Sequence, residues 1–369
     1  MSADGNGLET EPRPRKMRAS NLGQRRPTMT DIARLAGCSQ ATVSFVLNRA
    51  PGVKISDDMR ARVIEAARAL NYAVASLAHL DRDTDAPGAT DAKTGFLGFV
   101  VDQLATSPEA VVAIEGARQA SWASGEMIFV AQTMNDPEME AKVIRTMAAR
   151  GVTALIYMTI FTREVVLPAS FNDLGLQVVL LNCYAKDQRY PAVIPAEVAG
   201  GQRATRHLID HGHRRIATIT GEPWMEAARD RLRGYRKALA HARIAFDPDL
   251  VVEGNWAASS GYDATRKLLA LSPRPTAIFC QNDRMAIGCY EALKEAGLRI
   301  PEDISIVGFD DEEISRHLHP QLTSLVLPQR AMGAWAVEVI AGKGNATAER
   351  FPVTKLDCHL IVRDSVAHL

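Results

Sequence analysis

Apolar positions between residues 28 and 72 recur every three or four residues, which predicts three short helices. Thr28 suits the N-cap of the first helix, and Gly37 ends it. Ser39 caps a second helix that stops near Asn48, and Ser56 caps a third that runs through Leu70. The predicted seam between the first two helices consists of Ile32, Leu35, Val43, Val46 and Leu47.

From Gly95 onward the pattern changes to short apolar runs that alternate with amphipathic helical stretches. This βαβα rhythm is typical of doubly wound parallel sheets. About 275 residues is long for one such sheet, so we expect two lobes. The predicted strands are 96–101, 127–131, 154–158, 178–181, 216–220, 277–280 and 304–309, and the predicted helices are 108–124, 137–150, 199–211, 230–241, 259–271 and 284–296.

Composition divides the chain further. Residues 1–26 are polar and basic, which is typical of a disordered arm. We therefore expect a small helical domain at 27–73, a hinge and linker at 74–94, and a large α/β domain at 95–369. Residues 1–82 contain 13 Lys and Arg against 8 Asp and Glu, whereas the remainder contains 30 against 35. A basic end on an acidic body favours a polyanionic partner, although an ordinary solvated surface would look similar.

Targeting and metal signals are weak. The N-terminus has no hydrophobic signal core, and no apolar run reaches about eighteen residues, so we expect no membrane partner and a cytoplasmic location. The five cysteines are scattered without a CxxC pair, which indicates reduced thiols. His207, His211 and His213 lie near a helix end, where cationic side chains are common, so we expect no metal and no cofactor.

The second predicted helix has the placement of a recognition helix in a helix-turn-helix, with Gly37 at the turn. Such a helix enters the DNA major groove with its first residues on base edges. Gln40 can pair with adenine, whereas Ala41 or Phe45 can contact a thymine methyl group. The hydroxyl and amide groups suited to phosphates are those of Ser39, Thr42, Ser44 and Asn48. The alternative is a plain helical hairpin.

The chain resembles the lactose-repressor (LacI/GalR) family at Thr28-x-x-Asp-Ile-Ala-x-x-Ala-Gly-x-Ser-x-Ala-Thr-Val-Ser-x-Val-Leu-Asn48. The match continues at Ser56, Arg60, Asn71 and Tyr72, which the resemblance places in the DNA-binding domain with Thr28. It implies that Gln40, Ala41 and Phe45 read bases. Phe45 is a departure, since many members have Arg there.

The resemblance also implies a hinge helix after Tyr72 that folds on DNA, with a leucine wedged into the minor groove. Ala78 and Leu80 are the candidate contacts. In direct register the leucine position holds Asp81, and a shift of one residue is needed to bring Leu80 into place.

A second resemblance covers the C-terminal half, through His211-Gly-His-Arg-Arg-Ile216, Arg231-Leu-Arg-Gly-Tyr235, Asn282-Asp283 and Ile300-Pro-Glu-Asp-Ile-Ser-Ile-Val-Gly-Phe-Asp310-Asp311. It implies a two-lobed effector domain similar to periplasmic sugar-binding proteins, with the ligand at the carboxyl ends of the strands.

Six residues are candidate effector contacts. Asp283 could accept hydrogen bonds from vicinal hydroxyls, Arg231 could donate a fork of hydrogen bonds, and the Trp256 face could stack on a sugar. The other three are Asn182, Ser107 and Glu109. Asp283 could instead be structural, because the Asn282-Asp283 pair also suits a helix N-cap. We expect Asp310 and Asp311 to brace a loop.

These features predict a transcription repressor of carbohydrate genes rather than an enzyme, since no phosphate-binding glycine loop, nucleophile elbow or metal spacing is present. The resemblance implies a homodimer on a palindromic operator in the nucleoid, with a sugar effector that changes operator affinity. A purine or phosphosugar effector and a corepressor mode are the alternatives.

Overall fold

A computed structural model describes residues 28–47, 55–70, 96–104, 108–167, 171, 174–343 and 350–369. The chain divides into two compact units, 1–87 and 88–369. The predicted arm at 1–26, the hinge and the residues Asn48, Asn71, Tyr72, Ala78, Leu80 and Ser107 lie outside the described residues.

The first unit contains three helices in its described part, α1 (Met29–Ala36), α2 (Gln40–Leu47) and α3 (Asp57–Ala69). They enclose one apolar core that includes Ile32, Val43 and Val46. Gly37 ends α1 at φ 67°, a left-handed conformation that glycine adopts without steric cost. The predicted seam is confirmed except at Leu35, which is 56% exposed and therefore faces away from the core.

The second unit contains two six-stranded sheets. In chain order its elements are β1 (Phe96–Val101), α4 (Pro108–Ser124), β2 (Met127–Gln132), α5 (Pro137–Ala149), β3 (Val152–Glu164), β4 (Gln177–Tyr184), β5 (Ala192–Pro195), α6 (Glu197–Asp210), β6 (Ile216–Thr220), α7 (Glu226–His241), β7 (Val251–Glu253), α8 (Ala258–Leu269), β8 (Ala277–Cys280), α9 (Asp283–Glu295), β9 (Ser305–Asp310), β10 (Thr323–Val326), α10 (Gln329–Glu338), β11 (Thr354–Leu356) and β12 (Leu360–Ile361).

The first sheet has the strand order β11-β5-β4-β3-β1-β2, and all of its pairings are parallel. Its apolar side chains extend into two separate clusters. One cluster includes Phe99 with residues of α4 and α10, and the other includes Val100 with Ile144 of α5. Helices therefore cover both faces of the sheet, as expected for a parallel sheet.

The second sheet has the order β12-β10-β9-β8-β6-β7, with only the β10–β12 pair antiparallel among the described strands. Helices α6 and α7 pack with Phe279 and Phe309 on one face, whereas α8 and α9 pack with Ile278 and Ile306 on the other. The predicted doubly wound fold with two lobes is confirmed.

The chain passes between the two lobes three times in the described part: from β5 to α6, from β10 to α10, and from β11 to β12. Each crossing begins at the carboxyl end of a strand that belongs to a parallel pair. Ligands of open α/β sheets bind outside such carboxyl ends.

Helices α6 and α7 pack unusually closely. A Cβ atom at Gly201 would overlap the backbone of Arg231, and one at Gly234 would overlap the Val198 carbonyl oxygen and the Gln202 amide. Glycine at both positions lets the two helix backbones approach, which holds Arg231 close to α6.

Candidate functional site

The exposed side of α2 carries the three residues predicted to read bases. Gln40 and Ala41 are exposed, and the Phe45 ring is 40% exposed although it is apolar. Val43, Val46 and Leu47 on the opposite side are buried. The first turn of α2 is therefore exposed to solvent, while the opposite side of the helix packs on the apolar core of the first unit.

Hydroxyl groups predicted to contact phosphates also cap the helices. Ser39 Oγ accepts a hydrogen bond from the Thr42 amide at 3.1 Å, and Ser56 Oγ accepts one from the Met59 amide at 3.3 Å. Thr28 and Asp31 form a reciprocal capping box. Thr28, Thr42, Ser44 and Arg60 are half-buried, whereas Ser39 and Ser56 are exposed.

In the second unit, a cavity of about 320 Å³ lies between the two lobes. This is the size range of small-molecule sites. Its wall consists of Gln103, Glu109, Ile160, Phe161, Thr162 and Asn182 on the side of the first sheet, Leu327 and Gln329 on the strand-to-helix crossing, and Glu197, Glu222, Met225, Glu226, Ala227, Arg231, Asn255, Trp256, Asn282, Arg284 and Asp310 on the side of the second sheet. Glu109, Asn182, Arg231 and Trp256 were predicted from the sequence, and the structure brings them together here.

Arg231 is the most firmly held polar group of this cavity. It is 3% exposed, and its guanidinium donates to both carboxylate oxygens of Glu197 at 2.6 and 3.0 Å and to the Gln281 carbonyl. Burial opposes its charge, but Glu197 and Asp310 outweigh this effect and raise the pKa of Arg231. The guanidinium also lies 3.7 Å from the Phe309 ring centroid. Arg231 is therefore a fixed, always charged donor.

Asn182 is a buried residue near the carboxyl end of β4 and has φ 58°. Its amide nitrogen donates to the Thr159 and Ile160 carbonyls at 2.9 and 2.8 Å, and its amide oxygen accepts from the Thr162 hydroxyl at 2.7 Å. Both donor positions are occupied by backbone, so Asn182 mainly shapes the irregular end of β3 and offers a ligand only acceptor capacity.

Trp256 borders the cavity as a half-buried ring. Its indole N–H points to the Met225 sulfur at 2.8 Å, and its carbonyl accepts from the Asn282 side chain at 3.0 Å. A Cβ at Gly221 would overlap the indole, so glycine there makes room for the ring. The Trp256 face is held in one orientation and can stack on an apolar ligand surface.

The structure does not bring Asp283 to the cavity, contrary to the sequence expectation. Asp283 is completely buried, and its carboxylate accepts from the Ser324 hydroxyl at 2.5 Å and the Glu312 amide at 2.8 Å. Burial raises the pKa of Asp283 to about 7. Its neighbour Asn282 caps α9 and lines the cavity instead.

Asp310 lines the cavity although the sequence suggested a loop brace. It has φ 103°, its Oδ1 atom is buried and has no hydrogen bond within the described residues, and the Arg231 guanidinium lies 3.6 Å from that atom. Burial raises the pKa of Asp310 well above its usual range. Asp311 does brace the loop, since it accepts from Arg363 at 2.5 Å and Ser315 at 3.1 Å. The signal that could have identified Asp310 is its place at the carboxyl end of β9.

Three carboxylates meet across the cleft. One oxygen each from Glu109, Asp310 and Glu312 lies within 4.8 Å of the others, and this is the only such group of three or more acidic, histidine or cysteine side chains among the described residues. Glu312 also accepts from Arg284 at 3.1 Å. Burial raises the pKa of Glu312, and Glu109 adds to that rise. We call Glu109, Asp310 and Glu312 the carboxylate cluster.

The histidines noted in the sequence pack on one another at the end of α6. The rings of His207 and His211 lie 4.3 Å apart, and those of His211 and His368 lie 4.1 Å apart. Burial lowers the pKa of His207 to about 4, so it is neutral at pH 7. These rings pack around the last residues of the chain.

An exposed recognition helix in one unit and a two-lobed α/β unit with a polar cavity define the class of ligand-responsive transcription regulators. Residues 28–74 match the profile of bacterial regulatory proteins of the lacI family, and residues 205–366 match the periplasmic binding protein-like domain. Among the described residues, no helix is both long and apolar enough to cross a bilayer.

The chain is similar to known proteins over nearly its whole length. The repressor PurR of Aliivibrio fischeri strain MJ11 is 32% identical over 92% of this chain and 98% of its own length. The ribose operon repressor of Haemophilus influenzae is 32% identical over 93% of this chain and 99% of its own. A transcriptional regulator CelR in complex with cellobiose superposes with a TM-score of 0.61 at 28% identity, covering 92% of this chain and 100% of that one.

The lac repressor dimer bound to operator gives a TM-score of 0.62 at 26% identity over 93% of this chain and 100% of that one. The chain therefore belongs to the LacI family, as the sequence motifs predicted. It is a DNA-binding transcription regulator and not an enzyme.

Proposed function

We propose that this regulator represses carbohydrate genes as a homodimer on a palindromic operator, and that a sugar bound between the lobes releases it. The observation on which this rests is the polar cavity at the carboxyl ends of both sheets, with Arg231 fixed in its wall. A ligand that contacts both lobes stabilises one lobe arrangement. Effector and DNA are then coupled reciprocally if DNA prefers another arrangement.

A sugar suits the groups in the wall. Arg231 and the Asn282 amide supply donors, Asp310 and Gln329 supply acceptors, and the Trp256 face can cover the C–H surface of a ring. Glu109 and Asn182 complete the acceptor set, and Ser107 remains a candidate outside the described residues. In this proposal Asp310 takes the role first given to Asp283. The complex of CelR with cellobiose supports a sugar as the ligand.

A phosphosugar is disfavoured by charge, since the described part of the cavity wall has five carboxylates and two guanidinium groups. A purine lacks the several hydroxyls that would satisfy these acceptors. Isothermal titration against sugars, sugar phosphates and nucleobases tests this choice. Binding of a nucleobase in preference to every sugar would contradict it.

The DNA-reading residues are proposed to be Gln40, Ala41 and Phe45 on the exposed side of α2. Ser39, Thr42, Ser44, Asn48, Ser56 and Arg60 would contact phosphates, with Thr28, Asn71 and Tyr72 at the borders of the same domain. Residues 74–94, with Ala78 and Leu80 in the minor groove, would form the hinge. This assignment is supported by the exposure of the α2 side chains and by the match of residues 28–74 to the family.

Replacing Gln40 by alanine tests the reading of bases. We expect Gln40→Ala to weaken binding to the selected operator by about 1–3 kcal/mol while binding to random DNA stays the same. The exposed Glu65→Ala on α3 serves as the control. Competition binding on both DNAs gives the specificity ratio, and an unchanged ratio in Gln40→Ala would remove Gln40 from the reading set.

The homodimer has support on the first lobe. Several large apolar side chains of α4 and of the sheet-edge strand β2 are exposed: Val111 (57%), Trp122 (64%), Met127 (51%), Phe129 (41%) and Val130 (41%). Large apolar side chains that stay exposed on neighbouring elements are typical of association surfaces. Two copies related by a twofold axis would match the symmetry of a palindromic operator. The regulator bound to that operator would lie in the cytoplasm at the nucleoid.

A further inference from the structure

The cavity wall is richer in negative charge than a neutral sugar requires. Its two guanidinium groups are already engaged, because Arg231 is paired with Glu197 and Asp310, and Arg284 with Glu312. Glu222 and Glu226 also line the wall, and among the described residues neither has a Lys or Arg within ion-pair distance. The wall therefore has carboxylate charge in excess of its cations.

Individual carboxylate oxygens in this wall lack donors. Asp310 borders the cavity, and its Oδ1 atom is buried and accepts no hydrogen bond from the described residues. The Arg231 guanidinium lies 3.6 Å from that oxygen, within ion-pair distance but beyond hydrogen-bonding distance. Glu222 Oε2 is likewise buried without a hydrogen bond in the described part of the chain. A buried acceptor without a donor costs free energy, and a charged one costs more. A ligand that brings N–H donors and positive charge would remove this cost.

The geometry of the carboxylate cluster suits an ammonium group. An ammonium nitrogen about 2.8 Å from each of three oxygens places those oxygens roughly 4.6 Å apart. The oxygens of Glu109, Asp310 and Glu312 lie within 4.8 Å of one another. Burial and mutual repulsion raise the pKa of Asp310 and Glu312, and a cation seated among them would offset that repulsion.

The cluster also joins the two lobes. Glu109 lies in the first turn of α4 on the first lobe, whereas on the second lobe Asp310 ends β9 and Glu312 lies in the loop that follows. Of these three residues, Glu109 and Asp310 line the cavity. Phe161 and Trp256 add aromatic faces to the same cavity, and such faces attract ammonium groups. A cation here would therefore draw the lobes together.

We propose that the effector is an aminated sugar or similar aminated polyol whose protonated amine binds the carboxylate cluster while its hydroxyls meet the rest of the wall. This deepens the proposed function and depends on it. The amine would add positive charge to a wall in which described carboxylates outnumber guanidinium groups, and its contacts to both lobes would link effector binding to lobe closure.

Matched titrations test the proposal on the full-length protein. Glucosamine, galactosamine and mannosamine are each compared with the parent hexose and the N-acetyl derivative by isothermal titration. We expect at least one amine to bind about tenfold or more tighter than both of its neutral counterparts. Glu109→Gln and, separately, Asp310→Asn should bring that ratio close to one, whereas the exposed Glu291→Gln on α9 should preserve it.

The outcomes are distinct. The amine proposal is overturned if a neutral sugar binds as tightly as its amino derivative, or if no amino sugar in the panel binds. Either result leaves the proposed sugar-responsive regulator intact. A third outcome is that Ca²⁺ or Mg²⁺ alone binds the native protein, that Glu109→Gln abolishes this binding, and that neutral sugars bind only when the cation is present. This outcome would assign the carboxylate cluster to a metal ion and would also overturn the amine proposal. The proposed function itself fails only if no small molecule changes operator affinity.

Discussion

At the scale of single residues, the distinction between Asp283 and Asp310 shows what the sequence could and could not predict. Both carboxylates lie at the carboxyl end of a strand of the second sheet: Asp283 is the first residue of α9, just after β8, and Asp310 is the last residue of β9. Asp283 turns into the interior toward Ser324, whereas Asp310 adopts φ 103° and borders the cavity. That difference depends on a backbone conformation and a partner 41 residues away, which local pattern does not encode.

The buried Asp283 should make stability depend on pH. Its pKa is raised from 3.8 to about 7 by burial, so the protonated form stabilises the fold at low pH and this contribution is lost as pH rises from about 4 through about 7. Asp283→Asn removes the titration and can retain one acceptor and one donor. We expect its stability relative to the native protein to increase by roughly 3 kcal/mol between pH 5 and pH 8.

Urea unfolding followed by tryptophan fluorescence measures this effect, because all four tryptophans lie in the second unit. The exposed Asp263→Asn on α8 is the matched control. If the difference in free energy of unfolding between Asp283→Asn and the native protein stays constant over this pH range, the pKa of Asp283 is not raised.

At the scale of elements, most helices and three interior strands were predicted well, whereas five short strands and one helix were missed. Strands β1, β6 and β8 and helix α4 have the predicted bounds, and α1 to α3 agree within a residue. Strands β5, β7, β10, β11 and β12 and helix α10 were missed. The missed strands have five residues or fewer and gain stability from neighbours in the sheet, so their own sequence gives little signal.

Because α6 packs closely on α7, we predict that a glycine-to-alanine substitution in α7 lowers stability, the opposite of its usual effect in a helix. A glycine in a helix interior normally costs about 1 kcal/mol relative to alanine. At Gly234 the added methyl group would overlap the backbone of α6. Gly234→Ala should therefore destabilise the second unit, by about 1–3 kcal/mol.

The exposed Arg233→Ala on the same helix should change stability by no more than about 0.5 kcal/mol. Both variants are compared by urea unfolding. A gain in stability for Gly234→Ala would show that the helices can separate without cost, and would weaken the argument that they hold Arg231 in place.

At the scale of the whole molecule, the proposed homodimer would place two recognition helices on one operator and so double the short sequence that a single helix reads. Val130→Asp introduces a charge on the exposed edge strand β2. We expect it to weaken self-association at least about tenfold, since burying an unpaired carboxylate in an interface is costly. Sedimentation velocity over a range of concentrations measures the effect.

Val166→Asp provides the control, because Val166 is 94% exposed and lies outside this apolar surface. A native protein that stays monomeric at all concentrations would contradict the homodimer. Equal weakening by both variants would place the interface elsewhere.

The most direct test of the account is operator binding measured with and without effector. An operator is first selected from random duplex DNA with the full-length protein, and fluorescence anisotropy then gives its affinity across a sugar and amino-sugar panel. We predict a palindromic site bound at least about a thousandfold tighter than random DNA, and a sugar that changes this affinity about tenfold or more in the native protein but not in Arg231→Lys. Equal affinity for every duplex, or an operator affinity that no small molecule alters, would contradict the account.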